Sequence, residues 1–328
     1  MGAVKTLVFR REGAMLTYIA RRVLLTLPTL LMVSLIVFTL MRLIPRDPAQ
    51  VLLGEDADKA TIAAMHRELG LDRPLPEQYL KWLGHAAHGD MGESIVTHEP
   101  VRTMIADRFQ LSATIAFISV GLATLIAIVI GMVAAWKRDS TLDLAIVSGA
   151  SIVLAVPSFW LGMVLLLVFG LHFGWLPVVG YVPFAEDAWQ WALFLVLPVV
   201  TLTTVESGVL TRMMRSSTLD VLKLDYVTHA RAKGLSERRV LMHHVFPNAF
   251  APTLTLVGLA LGQLLGGIAV IETVFTLPGL GRLMVDSILS RDYPVVQGCL
   301  LFTALSYVVI NLIVDLCYPL FDPRVTAA

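Results

Sequence analysis

The sequence predicts an all-α membrane protein, with six transmembrane helices and a small extracytoplasmic insertion after the first. Three observations carry this. Six stretches, at roughly 21–44, 111–136, 144–171, 191–213, 249–271 and 295–320, are apolar over about the 20 residues that a helical span requires. Only 15% of the 328 residues are charged and mean hydropathy is +0.76, whereas soluble domains carry about 25% charged residues. The surplus apolar surface must therefore face membrane lipid. Finally, the basic residues concentrate in alternate short loops, as the positive-inside bias requires.

Residues 1–20 form a basic leading segment (Lys5, Arg10, Arg11) before the first span at 21–44. That run is longer than a secretory h-region of about 7–15 residues and lacks an Ala-x-Ala site, so it is expected to be uncleaved. Arg21-Arg22 is only superficially a twin-arginine signal. The region 45–110 carries both signs with acids in excess, and is expected to be extracytoplasmic, with helices at 58–69 and from Glu77 to Leu83. Lys137 and Arg138 mark the second–third loop as cytoplasmic. So do Arg212, Arg215, Lys223, Arg231, Lys233, Arg238 and Arg239 for the fourth–fifth, while 172–190 has no Lys or Arg. Both termini are then cytoplasmic. Trp175, Tyr181, Trp189 and Trp191 form an interfacial belt on the other side.

Pro157 and Pro198 each remove a helical hydrogen bond and are expected to kink their spans. Gly258, Gly262 and Gly266 give span five a face that lets helices approach closely, either within the chain or against another subunit. Among polar groups in the spans, Glu206 and Gln263 lie deepest and are candidates for a translocation path. Glu272, Asn311 and Asp315 either line the path too or serve interhelical bonding or the water interface, with Glu272 and Asp315 nearer the span ends.

The segment most informative about function is the cytoplasmic loop 214–248. Asp225 to Asn248 reads as two short helices broken at Gly234, with Ser236 as N-cap of the second and Pro247-Asn248 ending it. Tyr226, Val227 and Ala230 can share one face, and Leu241, Val245 and Phe246 another. Such a unit suits docking into a groove on a soluble partner, or lying on anionic lipid.

Ala230-x-x-x-Gly234, followed twelve residues later by Phe246-Pro247, resembles the cytoplasmic signature of permease subunits of ABC-type importers. Thr228 and His229 stand where that pattern has Glu and Ala, and His244 stands at its Ile. His229-Ala230-Arg231-Ala232-Lys233-Gly234-Leu235 is similar to the dipeptide and oligopeptide branch. So are Gly89 to Ser94, Pro157 to Gly162, Ile271 to Gly281, Arg291 to Pro294 and Asp322-Pro323-Arg324.

The resemblance implies a core permease domain over 111–325 and a bacterial inner-membrane location. It also implies a pore shared with a homologous second permease subunit, two ATP-binding subunits and an extracytoplasmic solute-binding protein. Tyr226, Ala230, Arg231, Lys233, Gly234, Leu235, His244, Phe246 and Pro247 would form the coupling loop seated on one ATPase. The segment Thr273 to Arg282, with Pro278, Gly279 and Gly281, cannot be regular helix throughout. It is expected to turn the chain just outside span five on the binding-protein side, as a docking contact or a plain turn. Peptides are the implied solute, with nickel chelates, glutathione and sugars as alternatives.

Other classes fit less well. There is no Gly-x4-Gly-Lys-Ser/Thr pattern, so ATP and Mg are expected on the partners, not on this chain, which is not expected to be an enzyme. Adjacent His243 and His244 diverge on a helix and suit no metal. Cys299 and Cys317 lie about 27 Å apart on one helix, too far for a disulfide. Zero net charge offers no field for nucleic acid. A secondary transporter would call for internal repeats that the sequence does not display, and an intramembrane enzyme for a paired nucleophile or metal set.

Overall fold

A computed structural model describes residues 2–43, 53, 58–68 and 70–321. Among these residues the regular structure is helical, and the only β-type pairing is an isolated bridge between Glu93 and Pro100. Five helices are long and apolar enough to span a membrane, and a sixth span is a bent pair. The terminal motif Asp322-Pro323-Arg324 and the start of the expected insertion at 45–52 lie outside the described residues.

Helix α1 (Gly2–Leu43) is continuous, so no break separates the leading segment from the first span. It is followed by α2 (Lys59–Glu68) and α3 (Leu75–Ala87). Helix α3 is longer than the expected Glu77–Leu83, because Pro76 is tolerated in its first turn. Tyr79 and Trp82 of α3 pack on Phe38 of α1, with ring centroids 5.5 and 5.8 Å away.

Helix α4 (Val101–Trp136) begins well before the expected position 111. Its first turns carry Arg102, Asp107 and Arg108, which depress hydropathy. Val101 and Ile105 nevertheless form an apolar stripe packed against Leu280, Val295 and Cys299. The expected region 45–110 therefore ends inside a helix of the bundle.

The third span is broken rather than kinked. Helix α5 (Thr141–Ala155) and helix α6 (Ser158–Leu165), which continues as a π-helical stretch to His172, meet at 95°. Pro157 forces Val156 into extended backbone (φ −91°, ψ 123°) and lacks the N–H to carry the helix on. Pro198, by contrast, sits inside α7 (Ala188–Leu222) without interrupting it. Asp187 caps α7, accepting from the Trp189 and Gln190 amides at 2.8 and 3.0 Å.

Helices α4 and α7 form the central pair. At Gly131 an added Cβ would lie 2.8 Å from Met214 Cβ and 2.9 Å from the Thr211 carbonyl, so only glycine permits this approach. Leu111, Ile115 and Val120 meet Leu195, Leu197 and Leu202 in the core. Helices α8 (Asp225–Ala232) and α9 (Glu237–Arg239) then lead through a π-helical turn, Val240–Val245, into α10 (Phe246–Gly267). The chain closes with α11 (Ala269–Val274), α12 (Leu280–Leu289) and α13 (Tyr293–Phe321). Gly258, Gly262 and Gly266 face Val314, Tyr307 and Thr303 of α13. The glycine stripe of the fifth span is thus filled from within the chain.

At the end opposite the basic loops, three sequence blocks are tied together by buried carboxylates. Asp292 accepts from Ser94 Oγ and from the Ile95 amide. Glu272, fully buried, accepts from Ser112 Oγ at 2.5 Å and the Arg282 amide at 2.9 Å. These bonds hold the turn between α11 and α12 on α4 and favour a packing role for Glu272. In the same region the Gly92 amide and His85 hold the Asp90 carboxyl below its ordinary range.

Candidate functional site

The basic end is built by α8 and α9. Their connection turns at Gly234, whose φ of +77° is costly for any residue with a Cβ. Helix α8 buries Val227 and Ala230, and the π-helical turn buries Val240 and Val245. All four pack on Met132, Met214, Val221, Ala249 and Phe250. This is one apolar platform beneath two short helices, and it fixes which side chains point away from the bundle.

The nine candidate coupling residues divide accordingly. Tyr226, Arg231, Lys233 and Gly234 are exposed, while Ala230 is buried. Leu235 and Phe246 are half-buried against the platform, and His244 and Pro247 are also half-buried. Tyr226 does not share the buried face of Val227 and Ala230. Its hydroxyl instead donates to the His244 carbonyl at 3.2 Å, and Asn248 Nδ2 donates to the same oxygen at 3.0 Å. Arg231 reaches across the Gly234 turn to Glu237 with bonds of 2.8 and 3.2 Å.

Three local expectations are corrected. Ser236 occupies the N-cap position of α9, but its side chain makes no capping bond. Pro247 does not end a helix: it stands in the first turn of α10, where its missing N–H costs nothing, and the helix runs through it. The expected loop 214–248 is also shorter, because α7 stays helical to Leu222. Sequence reasoning passed over Glu237 as the partner of Arg231. It also passed over Asp143, which Arg215 grips with two 2.6 Å bonds. The opposite charges were legible, but separations of 6 and 72 residues point to no pairing in advance.

The polar pair expected to lie deepest is elsewhere, with Glu206 half-buried and Gln263 exposed. Glu206 of α7 and Gln263 of α10 line one cavity of about 1030 Å³, walled mainly by α1, α10 and α13. Arg22 and Asp315, 2.9 Å apart, and Asn311 line the same space. Among the described residues no group of three or more His, Cys, Asp or Glu could hold a metal ion.

Comparison with known proteins agrees with this architecture. Residues 127–327 match the model of the binding-protein-dependent transport system inner membrane component, and residues 15–116 match the N-terminal model of such membrane components. A protein of Brucella suis biovar 1 named "Putative peptide transport system permease protein" is 42% identical over 311 residues, spanning 95% of this chain and 99% of that one. The glutathione transport system permease protein GsiC of Salmonella paratyphi A is 42% identical over the same shares. A Sinorhizobium fredii protein named "Probable peptide ABC transporter permease protein y4tP" is 38% identical, spanning 94% and 98%. With its five long apolar helices and one broken span, the chain is a multi-pass inner-membrane protein that belongs to the family of binding-protein-dependent ABC transport permeases.

Proposed function

We propose that this chain is one of two homologous permease subunits of an ATP-driven importer of peptides, served by an extracytoplasmic solute-binding protein. The observation that carries the reading is the α8–Gly234–α9 element: an apolar underside seated on the bundle and an outer face of Tyr226, Arg231 and Lys233. A helix pair so presented suits a groove on a soluble subunit. Two ATP-binding subunits would supply that groove and hold ATP and Mg, leaving this chain without catalytic residues. The basic end, with both termini, faces the cytoplasm on the positive-inside argument. The loops around Ser94, Gly279 and Asp292 then face the binding protein. Glu206 and Gln263 would line the path.

Peptide is the solute class named for the Brucella and Sinorhizobium relatives. Glutathione, itself a tripeptide, is the second reading, from the Salmonella relative. The test is co-purification from the native membrane, then ATPase and uptake assays with and without Gly234→Asp. Two ATPases and a second permease should accompany the chain, and the substitution should uncouple hydrolysis from uptake. Purification alone, with uptake that needs no ATPase, would overturn the proposal.

A further inference from the structure

An ionisable side chain in a transmembrane helix is costly unless something offsets its charge. The ion pair lining the large cavity is internally balanced, Arg22 against Asp315 at 2.9 Å. Glu206 is different: it is half-buried on α7, and among the described residues it makes no hydrogen bond or ion pair. Of Arg22, Glu206 and Asp315, which line the cavity, only Glu206 is without a partner among the described residues.

The same cavity is lined by two neutral side-chain amides, which can accept as well as donate. Gln263 of α10 makes no hydrogen bond of its own among the described residues. Asn311 Nδ2 donates to the Tyr307 carbonyl at 2.9 Å, and its amide oxygen is able to accept. A carboxylate and two side-chain amides lining one space suit a group with several N–H donors and a positive charge. The volume, about 1030 Å³, is at the upper end of ligand cavities, so a small solute can enter with its water.

We propose that this cavity is a station for the primary ammonium group of the travelling solute, with Glu206 as counter-ion and Gln263 and Asn311 as neutral partners. The inference rests on the peptide-import reading and deepens it. The amino terminus of a peptide supplies a primary ammonium, as does the glutamyl end of glutathione. Glu206 is then a specificity-determining residue that favours solutes with a free amine over the same solutes capped.

The test is saturation binding of a radiolabelled dialanine to the detergent-purified complete complex without its binding protein, beside N-acetyl-dialanine. Wild type should bind the free dipeptide about tenfold or more tightly than the capped one, the scale of one charge-assisted bond. Glu206→Gln should abolish that preference by weakening only the free dipeptide, and Glu206→Asp should keep most of it. The Asp variant guards against misassembly, since it carries the same charge at the same site.

Equal binding of both dipeptides to wild type, or binding indifferent to Glu206→Gln, overturns the proposal. So does a Gln variant that assembles poorly with its second permease yet keeps the amine preference, which would make Glu206 a partner for that subunit. Import into proteoliposomes by the wild-type system, run in parallel, keeps the two readings apart. If wild type imports no peptide, the peptide reading fails; if it imports peptide without amine preference at the cavity, only the station fails.

Discussion

Arg215 on α7 holds Asp143 at the start of α5 through two 2.6 Å bonds, and Asp143 also accepts the Asp139 amide at 3.1 Å. The Asp143 side chain is only 6% exposed and that of Arg215 26%. Removing one partner leaves a charge with little access to water, at a cost of about 3 kcal/mol. Asp143→Ala and Arg215→Ala should each lower the melting temperature of the purified chain. The exchanged pair Asp143→Arg with Arg215→Asp should recover part of the loss. Additive damage in the double variant, by a thermal melt in detergent, would show that the pair does not act as a unit.

At Gly234 space and backbone make opposite demands. Nothing lies within 4 Å of a Cβ built there, yet φ is +77°. Gly234→Ala should therefore cost about 1–2 kcal/mol of local strain without a collision. Gly234→Asn, which tolerates this region better, should cost less. Uptake per ATP hydrolysed should rank Gly, Asn, Ala, and a coupling ratio equal in all three would sink the role given to this turn.

Arg231 and Glu237 are 37% and 41% exposed, so their ion pair contributes about 1 kcal/mol or less to stability. Glu237→Gln should leave the melting curve nearly unchanged. Arg231→Glu should instead weaken capture of the ATP-binding subunits, and the effect should shrink as salt is raised. A pull-down across a salt series separates this from a folding defect.

Gly262 leaves no room toward Tyr307: an added Cβ would meet its ring. Gly262→Leu should push α10 from α13 and destabilise the chain by about 1–3 kcal/mol, the usual cost of overpacking. Gly149 has nothing within 4 Å, so Gly149→Ala serves as the control and should be neutral or slightly stabilising. Similar melting temperatures for both variants would contradict the packing described for α10 and α13.

The spans were legible because hydropathy integrates over about 20 residues, and the errors lie where short-range chemistry competes with that average. The start of α4 was missed because Arg102, Asp107 and Arg108 hide an apolar stripe that includes Val101 and Ile105. Pro157 was legible as a kink, but its effect depends on tertiary support: it breaks the third span by 95° while Pro198 leaves α7 whole. In the basic loop, the turn at Gly234 followed from residue type and position, whereas Ala230, expected on the docking surface, is buried in the bundle. The inward choice of Val227 over Tyr226 depended on the platform formed by α4, α7 and α10, which no local pattern encodes. The ties from Asp143 to Arg215 and from Glu272 to Ser112 are long-range and left no local mark.

The run from Glu237 to Gly266 counts as one apolar span of 30 residues, although it begins in the basic loop. No slack segment lies between α9 and the middle of α10, because the π-helical turn and Pro247 continue the helix rather than end it. In the proposed importer, a displacement at Arg238 or Arg239 would have a continuous helical path to the rung that bears Gln263. The path runs through the π-helical turn and past Pro247 and Pro252, the places where such a helix bends. In that proposed mechanism the outer helices would be the handle and the fifth span the shaft, with the three-glycine groove against α13 as its bearing.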